Sequence, residues 1–212
     1  MRSGHKGCAV GAVGLVGLVG AVLCLPLFAA LAVGGGGSGG PAAGAGEAGI
    51  PARVLAAYRA ADGWCPGLRW QVLAGIGANE SGHGTTGGAR ADEVTGEVAP
   101  PIFGVPLDGS AGVRALPIGG WLGWFGLTGP WQRAVGPMLV LPTTFTAWAV
   151  DVDGDGVADP HDIDDAVATA ANYLCGGRAG RVDDERVALR RYNADDAYVE
   201  RVLAVAHSLG PG

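Results

Sequence analysis

The chain is poor in charge and in cysteine, and each shortage excludes a class of function. Only 16% of its 212 residues are charged, and the net charge is −6. Binding to nucleic acid needs a basic surface, so this balance argues against a nucleic-acid partner. The chain also lacks a nucleophile elbow, a glycine-rich phosphate loop after a strand and a Cys-His cluster. Serine hydrolases, nucleotide enzymes and zinc peptidases are therefore excluded as first interpretations.

Charge is absent altogether from residues 8–33, which follow Arg2, His5 and Lys6. An apolar run of this length can cross a hydrocarbon core of about 30 Å. We therefore predict that residues 1–33 form an uncleaved membrane anchor. The small residues Ala30 and Ala32 leave a cleaved signal peptide open as the alternative.

The remaining chain divides into a linker and one domain. Residues 34–49 hold nine glycines and cannot build a core, so they are predicted to be a flexible tether. Residues 50–212 are long enough for one domain with its own core. The predicted location is the cell membrane with the domain outside, or secretion if the leader is cleaved.

Two cysteines lie outside the leader, Cys65 and Cys175. Disulfides persist in exported proteins, so we predict that these two residues pair. Two unrelated buried thiols are the alternative.

Helical spacing of apolar residues dominates the domain. It predicts a mainly α fold, with helices over residues 50–61, 68–79, 143–149, 162–175, 183–191 and 195–209. Residues 82–136 show no sustained period and are predicted to form loops and short strands. In the second helix, Gly75 and Gly77 would let another segment approach closely.

An acidic loop precedes the fourth predicted helix. The segment DVDGDGVADPHD has the spacing of an EF-hand calcium loop, with a glycine at position six, and the predicted calcium ligands are Asp151, Asp153, Asp155, the carbonyl of Val157, Asp159 and Asp162. Asp162 stands where that pattern expects Glu, and its shorter side chain would weaken the site. The alternative is an acidic turn that caps a helix.

Glu80 is the most informative single residue, because it is the only acidic residue between Trp70 and Arg90 and follows an apolar helical run. Such surroundings raise the pKa of a carboxyl group, which suits a general acid near neutral pH. A polar residue that merely ends a helix is the alternative.

Glycoside cleavage commonly uses two carboxylates, so a partner for Glu80 is expected. Asp92, Glu93 and Glu97 follow in a loop, but nothing in their sequence context singles one of them out. A mechanism with one acid, in which the substrate supplies the nucleophile, therefore remains open. His83 could contact substrate or act as a base, although a histidine in a turn more often satisfies a local backbone group.

Three segments together resemble one family. They are LAGIGANESGHG (residues 73–84), AVGPMLVLPTTFTAWAVDVDGDGVADPHDIDDAVATAANYL (residues 134–174) and YNADDAYVERVLAVA (residues 192–206). They resemble the lytic transglycosylases with a lysozyme-like fold, most of all the membrane-bound lytic murein transglycosylase B type. The resemblance implies an α+β lysozyme-like domain with an EF-hand-like calcium loop.

The resemblance also implies an activity on peptidoglycan glycan strands. Glu80 would be the sole acid and base that cleaves the bond between N-acetylmuramic acid and N-acetylglucosamine, leaving a 1,6-anhydro end. Ser81 would orient Glu80 or the sugar, Met138 would line the cleft, and Tyr192 with Asn193 would flank the acid. The family usually carries Gln where Leu139 stands, which puts sugar binding in doubt.

Two alternatives to this function remain. A hydrolytic muramidase would use the same acid and admit water to the cleft. A wall-binding module without turnover is the other, and Leu139 makes it credible. The sequence indicates no protein partner.

Overall fold

The computed structural model describes residues 47–110, 114–119, 123 and 125–210. This part of the chain contains six α-helices and a two-stranded antiparallel sheet. In chain order they are α1 (Ala52–Ala60), α2 (Trp70–Ser81), β1 (Arg90–Ala91), β2 (Val98–Ala99), α3 (Pro142–Trp148), α4 (Ile163–Cys175), α5 (Glu185–Tyr192) and α6 (Asp196–Ser208). Each helix begins and ends within two residues of its predicted limits, which confirms the helix-rich fold.

Short polar residues determine where the later helices begin. The carboxylates of Asp162, Asp184 and Asp195 accept hydrogen bonds from the first free backbone amides of α4, α5 and α6. These amides have no partner within the helix, and negative charge suits this end of the helix dipole. The acidic residues before these helices therefore act as caps.

Helix α2 lies at the centre of the domain. Its residues Val72, Leu73, Ala74 and Ile76 have no exposed surface. A Cβ atom at Gly75 would lie 2.5 Å from the carbonyl oxygen of Val202 on α6, so only glycine allows the two helices to pack this closely. The predicted close approach at this glycine is confirmed.

A tight turn connects the loop region to the helices. Residues Val135 and Val140 pair in an antiparallel bridge, and Leu139 adopts a left-handed φ of 45°. A Cβ atom at Gly136 would overlap the carbonyl oxygen of Pro160, so this glycine lets the turn lie directly against the acidic loop. The turn thus touches the segment for which calcium was predicted.

Cys65 and Cys175 form a disulfide, as predicted, with their Cα atoms 5.8 Å apart. The bond joins the loop before α2 to the last residue of α4. The predicted anchor and most of the predicted linker lie outside the described residues. Within the described ranges, no helix is long and apolar enough to cross a membrane.

Candidate active site

Glu80 lies in the last turn of α2, with its carboxyl group partly buried. The hydroxyl of Tyr198 on α6 donates a hydrogen bond of 2.7 Å to Glu80 Oε1. Burial raises the pKa of Glu80 to about 7, although the Tyr198 hydrogen bond and the charge of Arg201 both favour the ionised form. A carboxyl group with this pKa can hold a proton at neutral pH and release it during a reaction.

Tyr198 is a site residue that the sequence analysis did not select. Its ring is buried on the inner face of α6, and the guanidinium of Arg201 lies 6.0 Å from the ring centre. A buried tyrosine usually finds a partner for its hydroxyl group. That rule offers a signal in the sequence, but the partner's identity depends on how α6 packs against α2.

Ser81 supports the end of α2 from the inside. It is fully buried, its hydroxyl donates to the carbonyl of Pro137 at 2.5 Å, and it accepts from the amide of Gly84 at 2.8 Å. These bonds join the helix that carries Glu80 to the turn at residues 135–140. Ser81 thus has no side-chain surface to offer a sugar and acts as a brace of this corner.

The same turn is tied to the end of α5. The hydroxyl of Tyr192 donates to the carbonyl of Met138 at 2.5 Å, and the Met138 side chain is fully buried in the core. Met138 therefore packs beneath the turn, whereas the sequence resemblance placed it in the cleft wall. An apolar side chain on a turn held from two sides gains more by burial than by facing water.

Asn193 ends α5 and begins the connection to α6. Its side-chain oxygen accepts from the amide of Asp195 at 3.0 Å, and only 3% of the residue is exposed. The residues predicted for the site thus lie on three joined elements: the end of α2, the turn at residues 135–140 and the α5–α6 connection. Direct contact with Glu80 comes from Tyr198.

The carboxylates considered as partners of Glu80 lie around the β1–β2 hairpin. Asp92 accepts from the amides of Val94 and Thr95 and is exposed in the turn. Glu97 pairs through its backbone with Asp162 in an isolated bridge. Of the described residues that shift the pKa of Glu80, none is a second carboxylate.

The acidic loop gathers a different set of carboxylates from the one that the spacing predicts. Oxygens of Asp151, Asp153 and Asp165 lie within 4.8 Å of one another. Asp165 is 1% exposed, and its two oxygens accept from the amides of Val152 and Asp159. Burial raises its pKa to about 6.

The prediction of an EF-hand register is therefore wrong. Asp162, at the twelfth position, caps α4 by accepting from the amides of Asp164 and Asp165. Because the helix begins only after this residue, the carboxylate that turns back towards the loop comes from Asp165, one turn further along. Asp155 and Asp159 also lie outside the group of three, and each accepts a hydrogen bond from a backbone amide two residues ahead.

Comparison with known proteins gives one finding. Residues 122–180 match the family model described as Transglycosylase SLT domain. The matched range contains the turn at residues 135–140, α3, the acidic loop and α4, and it covers less than a third of the chain. No curated protein and no solved structure matches the chain.

This match supports a peptidoglycan-degrading enzyme of the lytic transglycosylase kind. The helix-rich fold with few strands fits a lysozyme-like domain of this type. Glu80, Tyr192 and Asn193 lie outside the matched residues, so their roles rest on geometry and chemistry.

Proposed function

We propose that the protein is a peptidoglycan lytic transglycosylase that uses Glu80 as its only general acid and base. The observation that carries the proposal is the state of this carboxyl group, which is partly buried, bonded to Tyr198 and has a pKa of about 7. The match of residues 122–180 supplies the substrate class, the glycan strands of peptidoglycan.

The reaction needs two proton transfers, and one carboxyl group can perform both. Protonated Glu80 donates to the glycosidic oxygen as the bond from C1 of N-acetylmuramic acid to that oxygen breaks. The resulting carboxylate then takes the proton of the C6 hydroxyl of the same muramic acid while that oxygen bonds to C1. The products are a free N-acetylglucosamine end and a 1,6-anhydro end, and no water is consumed.

Among the described residues, no second carboxylate shifts the pKa of Glu80, which supports this route. A retaining glycosidase places a second carboxylate about 5 Å from its acid. A negative charge so close would raise the pKa of Glu80 further, yet within the described part of the chain the charge that acts on this pKa is that of Arg201, which favours the ionised form. The substrate's own hydroxyl is therefore the nucleophile that fits this site.

Product analysis tests the proposal. The full chain is incubated with purified peptidoglycan, and the soluble fragments are examined by mass spectrometry for anhydromuropeptides. The Glu80→Gln variant should release none, because an amide cannot donate this proton. Glu93→Gln, a change of the same type at an exposed residue of the β1–β2 turn, is the matched control and should retain activity.

The other outcomes identify the alternatives. Fragments with reducing ends would show a hydrolytic muramidase. Sedimentation with insoluble peptidoglycan without any soluble fragment would show a wall-binding module, and both results would contradict the proposed reaction.

We further propose the membrane-bound B type, with residues 1–33 as an anchor and the domain outside the membrane. Peptidoglycan lies outside the plasma membrane, and the Cys65–Cys175 disulfide suits an oxidising compartment. Extraction of membranes with alkaline carbonate tests the anchor. Release of the intact chain into the soluble fraction would contradict it.

The acidic loop is proposed as a structural calcium site. The three clustered carboxylates of Asp151, Asp153 and Asp165 are hard oxygen donors of the kind that Ca²⁺ prefers. Three such groups within 4.8 Å repel one another when ionised, so a divalent cation would relieve a real electrostatic cost. Calcium would here supply charge neutralisation and hold the loop against the turn at residues 135–140.

Thermal unfolding tests the calcium proposal. After treatment with a chelator, added Ca²⁺ should raise the melting temperature of the full chain, and Asp165→Asn should abolish most of that rise. Asp183→Asn, at an exposed residue before α5, is the matched control and should respond like the wild type. An equal melting temperature with and without Ca²⁺ would contradict the site.

A further inference from the structure

The C-terminal end of α2 fixes the backbone conformation of His83. Gly82 ends the helix in the left-handed conformation, and His83 follows with a left-handed φ of 60°. Its amide donates to the carbonyl of Gly77 at 2.9 Å, which closes the last turn. The imidazole is therefore carried by a fixed corner of the backbone, three residues after Glu80.

The ring of His83 meets a buried tyrosine of α1. The hydroxyl oxygen of Tyr58 lies 3.3 Å from His83 Nδ1, and the two rings meet edge to face with their centres 5.9 Å apart. A Cβ atom at Gly77 would overlap the Tyr58 hydroxyl group, so the lack of a side chain there makes room for this contact. Tyr58 itself has no exposed surface.

This contact favours one position for the imidazole proton. Burial raises the pKa of Tyr58 above its ordinary value, so the hydroxyl keeps its proton. Among the described residues His83 Nδ1 is its only hydrogen-bond partner, and donation to Nδ1 is what satisfies the buried O–H group. Burial also lowers the pKa of His83, which favours the neutral ring. A neutral ring that accepts at Nδ1 must carry its hydrogen on Nε2.

The Nε2 atom of His83 remains accessible. His83 is partly exposed. Within the described residues, Nε2 takes part in no hydrogen bond, and it is not among the buried polar atoms that lack a partner. With Nδ1 accepting from Tyr58, the ring offers a neutral N–H donor at Nε2, three residues after the general acid along the chain. A sugar presents hydroxyl and acetamido carbonyl oxygens, which are uncharged acceptors for such a donor.

We propose that His83 is a glycan-binding residue of the Glu80 site, whose Nε2–H donates to an oxygen of the sugar chain, and that Tyr58 is the positioning residue that holds this tautomer. The inference rests on the proposed function, because it takes peptidoglycan glycan as the ligand. It assigns a task to a histidine that local backbone bonding does not explain, since no backbone group in the described ranges accepts from its ring.

Binding is measured in the Glu80→Gln background, so that the ligand is not cleaved. A soluble, peptide-free peptidoglycan tetrasaccharide is titrated onto Glu80→Gln alone and onto the same chain with His83→Ala, His83→Gln or Tyr58→Phe. A neutral hydrogen bond has a net value that corresponds to a roughly three- to tenfold change in Kd. His83→Ala should raise Kd by about that factor, and His83→Gln, which returns an N–H donor, should recover part of the loss.

Imidazole ¹⁵N spectra report the tautomer directly. Before ligand is added, His83 should show the Nε2–H form, and its Nε2–H signal should shift on titration. In Tyr58→Phe the ring should populate both tautomers. His207→Ala, at an exposed residue of α6, is the matched control and should leave Kd unchanged.

Three results would overturn the inference. The first is an Nδ1–H tautomer, and the second is an Nε2–H signal that does not shift when ligand is added. The third is an equal Kd with and without the His83 side chain, in variants whose melting temperature equals that of the parent. The tautomer is read in the parent chain, so it does not depend on whether a variant folds. If the proposed function fails instead, the wild type releases no anhydromuropeptides although the Glu80→Gln chain binds the tetrasaccharide.

Discussion

Replacing Glu80 by Gln should abolish catalysis and, above neutral pH, make the protein more stable. Burial raises the pKa of the Glu80 carboxyl group to about 7 from its ordinary value of 4.5. Between these values the folded protein holds a proton that the unfolded chain has released. Unfolding therefore becomes more favourable as the pH rises from 4.5 to 7, and the loss of stability is complete above pH 7.

The size of the effect follows from the pKa difference. A shift of one unit corresponds to about 1.4 kcal/mol, so ionised Glu80 costs the folded state about 3 kcal/mol well above pH 7. Part of that cost is already present at pH 5, and the change between pH 5 and pH 8 is about 2 to 3 kcal/mol. Gln has almost the same shape and can still accept from Tyr198, but it does not ionise.

Urea unfolding of the full chain at pH 5 and pH 8 measures the effect. The stability of Glu80→Gln relative to the wild type should be greater at pH 8 than at pH 5 by about 2 to 3 kcal/mol. Other groups titrate in both chains and cancel in this comparison. Glu93→Gln gives the background for a Glu-to-Gln change. An advantage that does not grow with pH would refute the assignment of a raised pKa to Glu80.

Three further changes test the surroundings of the site. Tyr198→Phe removes a hydrogen bond that favours the ionised form of Glu80, so the pKa of Glu80 should rise. The alkaline limb of the pH profile of kcat/KM should then move to higher pH, and movement to lower pH would contradict this. Gly77→Ala should destabilise the fold by roughly 1 to 3 kcal/mol in urea unfolding, because the new methyl group overlaps Tyr58; the double variant with Tyr58→Phe should recover part of the loss, and no recovery would place the cause elsewhere. Replacing both Cys65 and Cys175 by Ser opens a loop of 110 residues and should lower the free energy of unfolding by about 4 to 5 kcal/mol in urea. An unchanged unfolding midpoint would show that the disulfide does not form in solution.

The acidic loop shows why spacing alone was insufficient to predict which carboxylates lie together. Alternating aspartates indicate where oxygens are abundant along the chain, and Asp151 and Asp153 do lie together. Which residue supplies the third carboxylate of this cluster depends on where α4 begins. Oδ1 of Asp162 accepts from the free amides at the helix start. Asp165, on the first turn of α4, takes the place in the cluster that the spacing predicts for Asp162.

The buried side of the candidate site shows the same limit. A family resemblance names Ser81 and Met138, but it does not reveal which way their side chains point. The structure turns both inward, where they brace the corner that carries Glu80. Tyr198 was missed because its hydroxyl meets Glu80 across two helices that are 118 residues apart at this contact.

The amino-acid sequence by itself determined the six helices, the pairing of Cys65 with Cys175 and the unusual setting of Glu80. These properties depend on local periodicity, on the number of cysteines and on the neighbours of one residue along the chain. Only the tertiary structure decided which groups surround the acid, which aspartates cluster and which side chain meets the His83 ring. Each of those depends on contacts between distant segments, and Gly75 and Gly77 permit two of them by leaving room for α6 and for Tyr58. Periodicity along one segment carries no information about the partner that fills that room.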